Sequence, residues 1–258
     1  IVDRYGPALD APALAAEFAK AMPDVIVAGG DALARTATEA TKTIPIVANS
    51  DDLLASGLLV SFAHPESNLT GVSMFATELN GKRQELLIEM LPGIKRLATL
   101  ADPATTGPDR LDALVKAAAT RGIEASVYPA ATEGEIGPAI EKARAAGAQA
   151  VNVLASALFH GNHRELIDRT VAANLPAMFQ WPEYVEEGAL VGYGPRLDYI
   201  YGHLIARQVI KLFRGAKPSE VPAEQPTDFE LGINLQTAAK IQLTVPQSLL
   251  TLTDEVIR

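Results

Sequence analysis

The strongest constraint in this sequence is an alternation. Apolar runs of five or six residues take turns with longer helix-patterned segments, and the series occurs twice. In the first series, residues 24–28 form an apolar run ending at Gly29-Gly30. Residues 31–41 read as a helix with Asp31 placed to cap it, and residues 44–48 as the next strand. Residues 58–62 read as a further strand. In the second series, strands are predicted at 96–100, 123–128, 150–154 and 175–179. Helices are predicted between them at 108–121, 132–146 and 161–173, the first two closed by Gly122 and Gly147. Most of these runs are largely apolar rather than alternating, as strands buried on both faces are. Strands interleaved with helices imply a parallel sheet.

Two series imply two doubly wound α/β lobes. Between them lie an extended segment at 68–74 and a helix at 77–91; after the second come 189–195 and a long helix at 196–213. The expected division is residues 1–73 and 195–228 in one lobe and 74–194 in the other, with 229–258 packing near the hinge. Crossings are expected near 71–76 and 190–195, with a third near 227–233. A chain of 258 residues with 48% apolar content is large enough to bury two such cores.

Charge and composition exclude several functions. Lys and Arg number 22 against 31 Asp and Glu, a net charge of −9. The longest basic clusters are Lys82-Arg83 and Lys95-Arg96, too short for a phosphate-binding groove, so no nucleic acid is expected. Cysteine is absent, which removes disulfides, thiolate metal sites and a Cys nucleophile together. The chain opens at Ile1-Val2-Asp3-Arg4-Tyr5 without a basic-then-apolar leader, so a processed or trimmed chain is expected.

Ligands of open parallel sheets sit at the carboxyl ends of the strands. The loops there are 29–32, 49–52, 102–106, 155–159 and 180–183. Gly29-Gly30 lets backbone approach a ligand, and the following helix offers free N–H groups suited to a carboxylate; the alternative is a plain strand-to-helix turn. The run is not a dinucleotide or phosphate-loop fingerprint. Asp51 and Asp52 suit an ammonium or a sugar hydroxyl, or merely cap a turn. His160 and His163 stand three apart, but Asp168 falls on the wrong helix face to join them, so polar surface histidines are expected. No nucleophile elbow or metal-binding helix motif occurs. No catalytic residue, metal or cofactor is expected. Aromatic residues are only 5% of the chain, yet Phe159 and Trp181 fall at predicted strand ends, with Tyr184 and Tyr193 nearby. Rings there wall an apolar ligand or pack one lobe on another. Asn68-Leu69-Thr70 is formally a glycosylation sequon and is read as shaping a turn.

Several segments in order carry a resemblance. They are residues 24–30, 44–47, Asn68-Leu69-Thr70-Gly71-Val72, residues 78–87, Leu91-Pro92-Gly93, Tyr193-Gly194-Pro195, Gly215-Ala216-Lys217-Pro218, Glu224-Gln225-Pro226-Thr227, residues 229–235 and residues 245–250. This set resembles the bacterial ABC-transporter substrate-binding protein family that includes tryptophan-binding lipoproteins. The resemblance implies a type I periplasmic-binding fold, two lobes closing on a small ligand by hinge bending, and docking on a membrane permease. It also implies a location in the periplasm or as a cell-surface lipoprotein. Carried onto this chain, the ligand-binding set is Gly29, Gly30, Asp31, Ala32, Ser50, Asp52, Asp102, Thr105, Ser156, Phe159, Gln180, Trp181 and Glu183.

Departures from the family pattern matter. The family commonly has Asp-Pro where Asp52 is followed by Leu53, and an acidic residue where Ser156 stands. Losing that acid shifts the expected ligand from an amino acid toward an aromatic or aliphatic acid. The family's first strand and helix, ahead of the segment matching Ile1–Tyr5, are expected to be trimmed, lost or replaced by another segment here, with poor ligand binding or pairing with a second copy through an open sheet edge as the expected outcomes. Three functions remain. One is a solute-binding module in which Phe159 and Trp181 clamp an apolar part while the 29–32 turn and Ser50 hold a carboxylate. The second is an α/β lyase or hydrolase using Asp51, Asp52 or Glu183. The third is the sensing half of a transcription regulator, which needs a basic DNA-binding segment that this chain lacks.

Overall fold

The computed structural model describes residues 10–65 and 67–258; the opening segment Ile1–Tyr5 lies outside them. The chain is an α/β protein dominated by parallel sheets, and it divides into two compact units. One holds the described residues up to Phe75 together with Leu197–Asp228; the other holds Ala76–Arg196 and Phe229–Arg258.

In the first unit, helix α1 (Ala11–Ala21) starts where the Asp10 carboxylate accepts from the Ala13 N–H at 3.1 Å. Strands β1 (Ile26–Gly29), β2 (Ile46–Ser50) and β3 (Leu69–Ser73) pair in that order, all parallel. Every residue of β2 and β3 is buried, which explains the apolar reading of 44–48, while the segment expected as extended at 68–74 supplies the third strand. Helix α2 (Asp31–Ala40) covers this sheet with Ala34 and Ala37, small side chains that bring it close to Ile26, Ile46 and Leu69. The Asn68 amide donates to the carbonyls of Thr41 (3.1 Å) and Ile44 (2.7 Å), so it shapes the approach to β3.

Three expectations fail against this architecture. Asp31 is not the cap of α2: Gly30, at φ +91°, precedes the helix, and the Asp31 carboxylate accepts from a serine across the sheet instead. Residues 58–62 form no strand; Leu59 is buried, but its N–H bonds to the Leu53 carbonyl within a local turn and Val60 is 71% exposed. The helix expected at 196–213 is three pieces: α8 (Leu197–Tyr199), a π-helical segment at Ile200–Ile205, and α9 (Ala206–Phe213).

The second unit has a seven-stranded sheet. Its strands are β4 (Arg96–Ala101), β5 (Glu124–Pro129), β6 (Ala150–Val153), β7 (Ala177–Phe179), β8 (Val191–Gly194), β9 (Glu230–Asn234) and β10 (Glu255–Ile257). Their spatial order is β10-β9-β8-β7-β6-β4-β5, parallel except where β8 meets β9. Helices α3 (Asn80–Met90), α4 (Pro108–Ala119), α5 (Glu133–Ala145), α6 (Ala157–Gly161) and α7 (His163–Ala172) accompany it. The helix expected at 161–173 is α7, and the short helix α6 precedes it, separated by Asn162. Leu86, Leu87 and Met90 of α3 pack with Leu97, Met178, Val191 and Ile233 into the main core. Each such side chain contributes about 1.5–3 kcal/mol by leaving water.

Arg83 lies in the middle of this unit with no exposed surface. Its guanidinium donates to the carbonyls of Ala76 (2.5 Å), Tyr193 (2.7 Å) and Gln180 (3.0 Å), and to Asn80 Oδ1 (3.1 Å). One side chain therefore joins the start of α3 to β8 and to the loop after β7. Replacing Arg83 by Met keeps the length and strands these buried acceptors. The expected cost is about 3 kcal/mol or more, read as a lowered urea midpoint with Trp181, the single tryptophan, as fluorophore.

Candidate functional site

At the carboxyl end of the first unit's sheet, the 29–32 turn and the 49–52 loop come together. Ser50 is fully buried and its hydroxyl donates to Asp31 Oδ1 at 2.5 Å. The Gly30 N–H bonds to the Asn49 carbonyl at 2.6 Å, which locks the turn onto β2. Helix α2 begins without any side-chain cap, so the N–H groups of its first turn keep the positive end of the helix dipole accessible to a partner. Asp52 serves its own loop, where its Oδ1 accepts from the N–H groups of Leu54 (2.9 Å) and Ala55 (3.0 Å). Asn49, inside the expected 49–52 loop but outside the expected ligand contacts, and Tyr201, which sequence reasoning passed over, also stand here. Asn49 is buried at the end of β2, and its amide donates to the Tyr201 hydroxyl at 2.9 Å.

At the carboxyl end of the second unit's sheet, three of the expected residues form one chain of hydrogen bonds. The Ser156 hydroxyl donates to Asp102 Oδ2 at 2.6 Å, and the Ser156 N–H donates to Gln180 Oε1 at 3.1 Å. Thr105 also donates to Asp102 Oδ2 (3.2 Å), and the Ala104 N–H to Oδ1 (2.9 Å). Asp102 is 7% exposed and has no ion-pair partner among the described residues. A buried negative charge held only by neutral donors attracts a cation. Ser156 additionally caps α6 by accepting from the Leu158 N–H at 3.0 Å. Asn80 ties the cluster to α3: its Oδ1 accepts from the Ala155 N–H (3.3 Å) and its carbonyl from the Asn152 amide (3.2 Å).

The aromatic residues sit beside this cluster. Phe159 and Trp181 are 2% and 3% exposed, so contact with a ligand requires that the residues covering them move. The Trp181 segment is seated by main chain on main chain. A Cβ added to Gly192 would lie 2.1 Å from the Trp181 carbonyl oxygen, and one on Gly194 would lie 2.3 Å from that of Gln180. Glu183 lies 4.0 Å from Arg196, which also faces Glu186, Glu230 and Glu255.

The two histidines expected as plain surface groups join an aromatic stack. His163 lies on Tyr184 at 4.5 Å between ring centroids, and His160 Nδ1 contacts the Tyr184 hydroxyl at 2.5 Å. The Glu187 carboxylate meets His163 Nε2 at 3.1 Å and accepts from Arg164 Nε at 2.9 Å. Burial by itself would raise the pKa of Glu187, but the hydrogen bonds from His163 and Arg164 outweigh it and hold the group below its ordinary value. Loss of water around the His160 ring, reinforced by the His163 charge and opposed by Glu187, lowers the pKa of His160.

The family model described as ABC transporter substrate binding protein matches residues 7–257. Among solved structures, a conserved domain protein from Vibrio cholerae is similar at 25% identity and a TM-score of 0.82, over 95% of this chain and 83% of that one. An ABC domain from Streptococcus pneumoniae in complex with L-Trp is 19% identical with a TM-score of 0.79, over 96% of this chain and 85% of that one. A ligand-free, open substrate-binding protein with adhesive properties from Clostridium difficile is 22% identical with a TM-score of 0.63, covering 96% and 82%. The latter two likenesses are of fold. The comparison with curated proteins finds no match.

The histidine stack sets a pH dependence. The folded pKa of His160 lies below the ordinary 6.5, so the unfolded chain takes up this proton first as pH falls. This group adds no pH dependence well above that value and destabilises the fold progressively below it. The interactions of Glu187 add stability that is lost at lower pH still, below its ordinary 4.5. Urea midpoints measured from about pH 8 to about pH 5 are expected to fall, and to fall less in His160→Gln.

Proposed function

The chain belongs to the ABC transporter substrate-binding protein family, and from that premise we propose that it captures one small carboxylate-bearing molecule outside the cytoplasm, in the periplasm or as a cell-surface lipoprotein. It hands that molecule, chemically unaltered, to the membrane permease of an importer. The ligand is an amino acid or an aromatic or aliphatic acid.

The Asp102–Ser156–Gln180 chain of hydrogen bonds carries this reading. It stands where an open parallel sheet receives ligands, beside Phe159 and Trp181. An acid is missing at position 156 itself, but the Asp102 carboxylate lies 2.6 Å from the Ser156 hydroxyl, so a negative charge occupies that place after all. This supports an α-ammonium group on the ligand and favours an amino acid over a simple acid. The uncapped first turn of α2 supports recognition of the carboxylate, with Gly29, Gly30 and Ala32 approaching it through backbone. Asp52 is employed in its own turn and fits the enzyme alternative poorly.

The test is thermal-shift screening against the twenty amino acids, aromatic acids and short-chain acids, followed by calorimetry and by mass spectrometry of the recovered compound. A hit returned intact is expected; a transformed compound would establish the enzyme reading instead. Asp102→Asn is expected to weaken an amino-acid hit about tenfold or more, from loss of one charge-assisted contact, and to spare an acid without an ammonium group. Trp181→Ala is expected to cost a similar factor through lost ring contact, with Trp181→Phe recovering part of it. Unchanged affinity in Trp181→Ala removes the aromatic clamp from the mechanism.

A further inference from the structure

The first unit carries a polar pair that the proposed ligand contacts do not use. Asn49 is 3% exposed, and its amide nitrogen reaches the Tyr201 hydroxyl at 2.9 Å. Its amide oxygen is buried as well and has no partner among the described residues. A buried amide half-used in this way costs about 1–3 kcal/mol, and such groups in folded proteins ask for an explanation. Tyr201 sits in the π-helical segment Ile200–Ile205. Ile200, Leu204 and Ile205 are buried and anchor that segment, while Tyr201 itself stays 44% exposed. One-turn π segments inside helices re-aim side chains and recur at functional sites. Here the re-aimed side chain brings its hydroxyl to the carboxyl ends of β1 and β2. Gly29 borders it, since a Cβ there would come within 3.7 Å of the Tyr201 hydroxyl. The Asp31–Ser50 pair lies on the same strand ends.

From this geometry we infer that Asn49 and Tyr201 form a selectivity pair that reads a hydroxyl group on the ligand. The inference rests on the reading that the chain binds a small molecule, and it names a further feature of that molecule. Either orientation of the amide leaves one of its two polar atoms waiting. As placed, the nitrogen donates to Tyr201 and the oxygen awaits a donor. Turned over, the oxygen accepts from the Tyr201 hydroxyl and the nitrogen awaits an acceptor. A ligand hydroxyl satisfies both arrangements, because it donates and accepts. A carboxylate satisfies only the second and an ammonium only the first. The adjacent Asp31 carboxylate also accepts from a hydroxyl, as it does from Ser50. A site built around such a pair rejects the analogue lacking the hydroxyl, since the amide is then left unpaired.

The experiment uses probe pairs that differ by one hydroxyl: L-tyrosine with L-phenylalanine, 5-hydroxy-L-tryptophan with L-tryptophan, L-threonine with L-2-aminobutyrate, and lactate with propionate. Calorimetric affinities are measured for the wild type, Asn49→Leu and Tyr201→Phe. In at least one pair the hydroxylated member is expected to bind about tenfold tighter to the wild type. Asn49→Leu is expected to bring that ratio to within about threefold while binding of the deoxy member persists. Tyr201→Phe alters an exposed side chain, keeps the fold, and is expected to reduce the ratio by an intermediate factor; it stands alone should Asn49→Leu fail to fold. Equal affinities within every pair that binds would overturn the inference and leave the solute-binding reading intact. A ratio unchanged in both variants would also overturn it, because the amide is then satisfied by solvent. Binding of no probe, together with no hit in the wider screen of amino acids and acids, would remove the solute-binding reading, and the inference with it.

Discussion

A buried guanidinium governs the geometry of the second unit. Arg83 leaves water entirely and recovers the loss through donors directed at three main-chain carbonyls and one side-chain oxygen. Burying a charge is costly, and truncating the partner of a buried charge costs more. The arrangement is stable only while β8, the start of α3 and the loop after β7 keep their places. That loop carries Gln180 and Trp181. The hydrogen-bond chain from Gln180 through Ser156 to Asp102 therefore inherits its register from an arginine on a neighbouring helix. Asn80 extends the same control, since it accepts from both Arg83 and the Ala155 N–H.

The site itself is electrostatically lopsided. Among the described residues Asp102 is compensated by neutral donors only, whereas the exposed carboxylate of Glu187 is shared by Arg164 and His163. The second arrangement is a structural tie that holds α7 to the segment after the Pro182–Val185 turn. The first keeps a net negative charge in a poorly hydrated place, at the strand ends where the loops of an open parallel sheet converge. Charge left unneutralised inside a fold is a better pointer to ligand chemistry than charge counted along the chain. The net −9 of the sequence argues against a nucleic-acid groove but says nothing of where a single carboxylate is buried.

Much of the fold was legible because many of its strands are buried on both faces and so read as largely apolar runs; β2, β4 and β6 are of this kind. The failures have physical reasons. Residues 58–62 are apolar enough for a strand, but Val60 faces outward and the backbone closes on itself. Helix α1 went unread, although Asp10 and Pro12 are both start signals, because its Ala-rich pattern defines no strong stripe. Arg83 followed Lys82 and looked like half of a basic surface pair; nothing in residue order separates a buried arginine from an exposed one. The π-helical segment leaves no mark in periodicity over six residues. Of the candidate site, Asp102, Ser156 and Gln180 were legible as strand-end residues, since topology alone places them together. The pairing of Asn49, itself in the 49–52 loop, with Tyr201 was not, because the two are 152 positions apart and meet only through that helical irregularity.

The two close backbone approaches at Gly192 and Gly194 have a consequence for how such a protein diversifies. The peptide bearing Gln180 and Trp181 rests on β8 through carbonyl groups, which every residue type supplies equally. Its footing is indifferent to the side chains mounted on it. Exchanges at 180 and 181 can then accumulate while the scaffold stays put, and the evolutionary burden falls on the two glycines, which tolerate no replacement.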